Sequence, residues 1–531
     1  MLKFLFLCFA ILFPAIAQVS TAGKVSVQGP TQMGAQAPAP FNVLTLTSHG
    51  FSPSTTIFPG FPTVDSGAHL AVGYQGGWYL NGLAGFDPWQ YQTIYRHGTV
   101  IAYAGGPSGT FGCTTSTCAA ANWDWFDMTT LPLNCPATYT CPGADAATAF
   151  VGVATDLNFV YYTPDAANQN PVFVRFNPFG SAGSGGTSVS NAANYTSFSA
   201  PTAGTSPLGA TYGWCTGVFD GRYIYYTPTD AGGYANTNLI RYDTTQPFAI
   251  ANFSHFNLST LPGGALNGGF ESSAFDGQKV YLLPADSRNL VVYDTTQSFT
   301  NASGTPYKVL NLSNLGTVGY PAVTGSGNLH AVQTQNDYIG GQPVWNPAGT
   351  IEYLYFTPFG SNTTTTSHAT TVLLSTVLRV PVATCSSPAA GTQACPSGFT
   401  SLDITASTST WEMFDVTNLT TNSAWTAAGF AYPPLFHPPS PLANQVTAGS
   451  FQLTWLNVHT PSDPIVGFVA DYGNFYMRHH ASHSLSDPSG WDVGQRPAGQ
   501  SNGCMGGGYS AVDQLFYTSC PSAPVWQIGP L

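Results

Sequence analysis

Only three glutamates occur in this 531-residue chain, and one of them, Glu271, falls just ahead of an aromatic strand unit, four residues before Phe275. A carboxylic acid at the entrance of such a strand is suited to general acid work. Glycoside hydrolysis needs a second carboxylate about 5 to 10 Å away across the scissile bond, and Asp65 and Asp156 are the candidates for it. Flat aromatic faces on which sugar rings stack are offered by Gly76-Gly77-Trp78-Tyr79 and by Asp87-Pro88-Trp89-Gln90-Tyr91, both read as loops, and by Trp345. Each tryptophan taken singly is more economically a wedge in the core. His479, His480 and His483 form the densest histidine group. In a strand, His479 and His480 point to opposite faces, and no carboxylate or Cys stands at metal-ligand spacing, so no metal is assigned to them. The stretch 230–238, with Asp230, Gly232, Gly233 and Asn236, offers oxygen ligands of the kind Ca²⁺ takes. Ordinary turn chemistry accounts for the same residues, and no cofactor is required. There is no His-Glu-x-x-His, no phosphate-cradling loop and no Rossmann glycine set.

Whatever positions these residues is repetitive. Phe219-Asp220-Gly221-Arg222-Tyr223-Ile224-Tyr225-Tyr226-Thr227-Pro228 recurs as Phe275-Asp276-Gly277-Gln278-Lys279-Val280-Tyr281-Leu282-Leu283-Pro284, with looser copies at 158–164 and 352–358. A second unit follows, Leu239-Ile240-Arg241-Tyr242-Asp243-Thr244-Thr245-Gln246 and then Leu290-Val291-Val292-Tyr293-Asp294-Thr295-Thr296-Gln297. A third closes the period: Trp123-x-x-Phe126-Asp127, and again Trp411-x-x-Phe414-Asp415. β-Branched and aromatic runs bounded by Gly, Pro, Asn or Asp are strands. Three or four strands per period of about 55 to 75 residues predict propeller blades. The predicted fold is all-β, a single β-propeller of six or seven blades near 66–131, 145–200, 207–261, 265–315, 317–419 and 425–497. A further strand at 512–517 is expected to pair with 42–47 and close the ring. The domain spans 41–531, follows a flexible segment 18–40, and carries low-complexity insertions near 180–206 and 361–410.

The repeats resemble those of secreted bacterial propeller proteins built on Phe-Asp-Gly-Arg-Tyr, Arg-Tyr-Asp-Thr and Trp-x-x-Phe-Asp units, most closely over 145–315. That resemblance implies the fold and no particular activity. A more distant one links Glu271, Gly277 and Tyr281 to five-bladed glycoside hydrolases, whose general acid lies shortly upstream of a Gly-x-Tyr-Tyr strand. The stretch Ser482-x-Ser484-Leu485-x-x-Pro488-x-x-Trp491 is similar to one common in those enzymes and in sialidase-like propellers. In the register of the Phe-Asp-Gly units, Val151, Cys215, Glu271 and Trp345 fall at one level, expected to face the mouth of a central channel, where propellers place ligands. Asp220, Asp276, Asp243 and Asp294, repeated blade after blade, are read as turn ties.

Composition narrows the function. Charged residues make up 7% of the chain, hydrophobic 43% and aromatic 14%, with 12 Lys+Arg and a net charge of −12. So few cations cannot form a phosphate-neutralising stripe, which excludes nucleic acid and an anionic membrane surface. Met1-Leu2-Lys3, an apolar run from Phe4 to Phe13 and Ala15-Ile16-Ala17 predict a signal peptide over 1–17 and secretion. Cys113/Cys118, Cys135/Cys141, Cys385/Cys395 and Cys504/Cys520 are disulfide candidates in that compartment; pairing between the first two sets is equally open, and Cys215 is left over. Seven Asn-x-Ser/Thr sequons and the Ser/Thr-rich loop 361–375 allow glycosylation. Scarce charge also predicts tolerance of acid to below about pH 5. The function these features favour is a non-catalytic extracellular protein that binds glycan or a cell surface, or assembles with itself. The rival is a glycoside hydrolase or lyase acting at the channel mouth.

Overall fold

A computed structural model describes most of residues 150–326 and 336–415, much of 465–495, and elsewhere the strands named below. Among the described residues there is no α-helix, and the strands form separate sheets that follow one another along the chain. Three consecutive sheets show the pattern plainly. The second is Phe150–Thr155, Val160–Pro164, Val172–Phe176 and Tyr195–Ser199. The third is Trp214–Phe219, Tyr223–Pro228, Asn238–Asp243 and Phe253–Asn257. The fourth is Phe270–Phe275, Lys279–Pro284, Asn289–Asp294 and Tyr307–Asn311. Each is a four-stranded antiparallel meander in sequence order. Pro164, Pro228 and Pro284 end the second strand of each, where a residue without an N–H can stop the ladder.

The Phe-Asp-Gly unit is the turn between first and second strands. Asp220 Oδ1 accepts from the amides of Arg222 (2.8 Å) and Tyr223 (2.7 Å), and Oδ2 accepts from Tyr225 Oη at 2.7 Å. Asp276 does the same with Gln278, Lys279 and Tyr281, and Asp156 with Asn158, Phe159 and Tyr161. Gly221 has a φ of 103°, so it supplies the left-handed step of that turn. In the second repeated unit, Asp243 and Asp294 cap their own turns by accepting from the Thr245 and Thr296 amides. Two of the sequon asparagines, Asn257 and Asn311, spend their side-chain oxygens likewise, on the Ser259 and Ser313 amides.

First strands of successive sheets lie side by side. Gly152 makes this possible between the second and third sheets: a Cβ there would come within 2.8 Å of Thr216 Cγ2 and 3.0 Å of the Cys215 carbonyl. A hydroxyl chain, Thr216 to Thr227 (3.2 Å) to Ser273 (2.8 Å), joins the third sheet to the fourth. The core fills the wedges between neighbouring sheets. Phe173, Phe198, Trp214, Tyr242, Phe248 and Phe253 pack between the second and third, with Phe173 and Phe198 stacked at 5.1 Å. Tyr225, Tyr293, Phe299 and Tyr307 do so between the third and fourth. Four-stranded meanders whose first strands adjoin and whose faces pack on the next meander are propeller blades.

The fifth sheet is larger. Its meander is Asn336–Trp345, Ile351–Asn362, Thr376–Thr384 and Thr410–Asp415, and Ala322–Ser326 adds a parallel strand at its outer edge. Short strands Thr370–Leu373 and Thr400–Ser401 lie in the stretch expected as an insertion. The first sheet, Tyr74–Leu80 to Trp123–Asp127, and the sixth, Phe451–Asn457 to Trp491–Gln495, repeat the meander. Residues 18–40, expected as a flexible lead-in, include strands Val19–Thr21 and Val25–Gln28, the second of them parallel to Tyr74–Leu80. The seventh sheet holds Gly507–Ser510, Leu515–Cys520 and Ala523–Ile528. Val43–Thr45 pairs there with Ala523–Ile528, not with the 512–517 stretch expected to receive it. The last strand of a meander offers the open edge, whereas Leu515–Cys520 is flanked on both sides.

Candidate functional site

Strand register tests the level assigned to the channel mouth. Pairing breaks by one extra residue between Phe150 and Val153, between Trp214 and Gly217 and between Phe270 and Ser272. Val151, Cys215 and Glu271 therefore share one level, next to the first residue of each inner strand. In the fifth sheet the same break spans Tyr338 and Gly340 and puts Ile339 there, while Trp345 pairs with Glu352 at the other end of the strand. This corrects the placement of Trp345. The inner strand of that sheet runs two residues beyond the position of Phe219 and Phe275, and no Phe-Asp-Gly turn marks where to count from. Cys215 is a buried thiol. For Val151, Glu271, Ile339 and Trp345 the register position is what the structure describes.

The other expected residues scatter. Trp78 and Tyr79 lie within the strand Tyr74–Leu80, not in a loop. Trp89, Tyr91 and Asp65 lie outside the described residues, as do Asp230, Cys113, Cys118, Cys135, Cys141, Cys385, Cys395 and Cys504. Cys520 ends the strand Leu515–Cys520, and its side chain is not described. Asn236 spends its amide locally, donating to the Gly213 carbonyl (3.0 Å) and accepting from the Asn238 amide (2.9 Å). Asp156 is a turn tie and is not available as a second catalytic carboxylate.

A polar cluster not singled out in the sequence lies where the fifth sheet meets the sixth. Arg379, 3% exposed, sends Nη2 to both oxygens of Glu412 at 2.8 Å. Its Nη1 donates to Tyr355 Oη (2.9 Å) and to the carbonyls of His483 (2.9 Å) and Ala481 (3.3 Å). Glu412 also accepts from Ser484 Oγ (3.0 Å) and the Leu485 amide (3.1 Å). The pair thus ties the fifth sheet to the turn that follows Phe475–His480 in the sixth. That turn is closed by Trp491 Nε1 on the Leu485 carbonyl at 2.9 Å, and by His483 Nδ1 on Asp487 at 2.8 Å. Desolvation lowers the Arg379 pKa, but Tyr355 and Glu412 outweigh it and the net direction is up. Burial pushes Tyr355 up to about 12, against the pull of Arg379.

Register explains the cluster. Arg175, Arg241 and Arg379 occupy one position of the third strand, opposite Tyr161, Tyr225 and Tyr355. Their fourth-strand neighbours are Thr196, Ser254 and Glu412. In the fifth sheet that neighbour is a carboxylate, and the same register in the first and sixth sheets sets Arg96 opposite Asp124 and Arg478 opposite Asp492. Glu412 is an unspecified position of Trp411-x-x-Phe414, so the repeat conceals it. The signal that could have found it is the recurrence of Arg in the third strand together with a charged residue replacing Ser or Thr in the fourth.

His479 is fully buried against Trp491, with ring centroids 4.6 Å apart. Its Nε2 faces the Ser484 carbonyl (3.3 Å), so Nε2 carries the proton and Nδ1 accepts from Tyr355 Oη (3.2 Å). Burial, then Arg379, hold its pKa well below the ordinary histidine value. His480 and His483 also oppose a second charge there. The unfolded chain takes up a proton below about pH 6.5 while the folded one does not. Stability is therefore expected to fall as pH drops from about 6.5, by up to ~1.4 kcal/mol per pH unit from this group. Urea midpoints at pH 7.5 and pH 5.5 should diverge in the native protein and converge in His479→Gln; equal pH slopes in both would refute the assignment. This opposes the acid tolerance expected from scarce charge.

Beside Glu412 a half-open cleft of about 330 Å³ is lined by Thr324, Tyr353, Thr410, Glu412, Ser484 and Ser486, among others. Such a volume is at the small end of the roughly 300–1,000 Å³ of small-molecule sites.

No family model and no curated protein matches the sequence. Among solved structures, the β-propeller domain of Cps50 (Swd1) from Myceliophteria thermophila superposes with a TM-score of 0.41 at 7% identity, covering 87% of this chain and 96% of that one. The N-terminal domain of Nup159 gives 0.38 at 9%, covering 94% and 98%. The C-terminal WD40 domain of Sif2 gives 0.35 at 8%, covering 84% and 92%. Overlaps this loose say nothing about activity; the blade architecture rests on the strand pairing above.

Proposed function

We propose that this is a secreted propeller that binds glycan or another extracellular surface without catalysing a reaction. The observation that carries the reading is the Arg379–Glu412 pair: among the described residues Glu412 is the carboxylate that lines the cleft, it is clamped by a guanidinium, and no second one lines it. Glycosidases need two, one of them free to carry a proton. The repeated aspartates of the described sheets are likewise committed to backbone amides. Seven sheets, with Val43–Thr45 paired to the last strand, support a ring of seven blades closed by the two ends of the chain. The signal-like first 17 residues support an extracellular setting, in which the paired cysteines would form disulfides. Trp78, Tyr79, Trp89, Tyr91 and Trp345 remain candidate stacking residues.

A screen of plant and microbial polysaccharides for both retention and release of reducing ends tests this. Retention without release is expected. Hydrolysis at the channel mouth is the second reading, favoured by the place of Glu271 beside Cys215 and Val151 at one end of the inner strands. Reducing-end release that Glu271→Gln abolishes, with an unchanged melting temperature, would replace the first reading with the second.

A further inference from the structure

At two junctions between sheets the third-strand arginine is sandwiched between rings. Arg175 lies over Phe159 (4.3 Å) and under Phe248 of the next sheet (5.5 Å). Arg241 lies over Tyr223 (4.0 Å) and under Phe299 of the next sheet (4.3 Å). Phe248 and Phe299 both come from the turn between the third and fourth strands of that next sheet, five residues after Asp243 and Asp294. Arg379 keeps the first ring, Tyr353 at 4.2 Å. From the sixth sheet the corresponding turn supplies Ser484, Leu485 and Ser486: the buried Leu485, five residues after His480, stands where Phe248 and Phe299 stand, and among the described residues no ring of that turn lies over Arg379. The cleft opens where the repeated phenylalanine is missing. Its far wall is the added strand Ala322–Ser326, which can press onto the fourth strand because of Gly325: a Cβ there would clash with the Met413 carbonyl.

We infer that this cleft holds one residue of a neutral sugar. The inference rests on the glycan-binding reading and gives it a place and a ligand class. The lining includes five hydroxyl-bearing residues, Thr324, Tyr353, Thr410, Ser484 and Ser486, around one carboxylate. Glu412 Oε2 already accepts from Arg379, Ser484 and the Leu485 amide, whereas among the described residues Oε1 meets only Arg379 and keeps a lone pair for a ligand hydroxyl. The charge of Glu412 is neutralised, which removes the attraction for a cation. Both Nη atoms of Arg379 are engaged with Glu412, Tyr355 and two carbonyls, and Nε, which has no partner among the described residues, is buried, so no guanidinium N–H is exposed to a phosphate, sulfate or uronate. A ligand rich in hydroxyls and without charge matches both facts, because its O–H groups serve as donors to Oε1 and as acceptors from Ser and Thr.

Saturation-transfer NMR with the methyl glycosides of glucose, galactose, mannose and xylose, and with glucuronate and glucosamine as charged counterparts, tests this. At least one neutral glycoside is expected to bind and the charged ones not. Ser486→Phe, which returns a ring to the turn, should weaken binding at least tenfold without lowering the melting temperature. Thr324→Leu, on the opposite wall, should weaken it several-fold and serves if the first variant misfolds. Binding unchanged in both variants would overturn the cleft while leaving glycan binding in place. Binding only of a charged sugar would overturn the ligand class. Failure of every saccharide, here and in the polysaccharide screen, would overturn the glycan reading and this inference with it.

Discussion

Asp276→Ala is expected to lower stability by about 3–6 kcal/mol, because it removes an acceptor shared by three donors and the loss of each such buried bond costs about 1–3 kcal/mol. The donors are the amides of Gln278 and Lys279 and the hydroxyl of Tyr281. Asp276 is 3% exposed, so water reaches them poorly. Asp220→Ala removes the same three kinds of bond at a half-buried site, where solvent replaces part of what is lost. Its cost should be smaller, about 1–3 kcal/mol. Asp276→Asn keeps an oxygen for the two amides and should fall between native and alanine. Urea unfolding of the three variants gives the ranking; equal losses for Asp276→Ala and Asp220→Ala would show that burial does not set the cost. Desolvation raises the Asp276 pKa, against the pull of Tyr281 and the two amides. Since its folded value lies above the unfolded one, acidification through that range favours the native state. This carboxylate resists acid, whereas His479 yields to it.

Arg379→Met should cost about 3–5 kcal/mol, the usual loss when one partner of a buried ion pair is removed. The side chain bridges two sheets. Without it Glu412, 24% exposed, keeps only Ser484 and the Leu485 amide, and the carbonyls of Ala481 and His483 lose a donor. A buried pair replaced on both sides by apolar groups is often close to neutral, so Arg379→Met with Glu412→Leu should recover a large part of the loss. A double-mutant cycle on thermal midpoints reads the coupling. The loss should begin locally, with early proteolysis in the turn 481–490 before the second to fourth sheets open. A single variant within about 0.5 kcal/mol of native, the range of ordinary surface substitutions, would show that the guanidinium does not join the sheets.

Much of the fold is legible in the residues themselves, because the interactions that define it are local. The Asp of each Phe-Asp-Gly unit reaches amides two and three residues on and a tyrosine five residues on. A short stretch of sequence thus contains both ends of every such bond, and its recurrence announces a strand, a turn and a repeat together. The same locality made Asp220, Asp276, Asp243 and Asp294 recognisable as ties, not catalysts. The meander strands of six sheets fall within the stretches marked out by the repeats for the same reason, whereas Val19–Thr21 and Val25–Gln28 join the first sheet from outside its stretch.

Contacts between sheets obey no such rule. Arg379 and Glu412 are 33 residues apart, and Glu412 and Ser484 are 72 apart. Nothing in either local sequence says that they meet. Trp345 is displaced because the inner strand of the fifth sheet is longer than its repeat partners, and only pairing with Ile351–Asn362 shows where its end lies. The cleft depends on a subtraction: the turn of the sixth sheet lacks the ring that Phe248 and Phe299 bring to other junctions. By itself the sequence determined the unit, its turns and its strand order, since those follow from hydrogen bonds closed within a few residues. Tertiary structure alone decided which side chains share a wedge, because a wedge is filled or left open by two sheets at once.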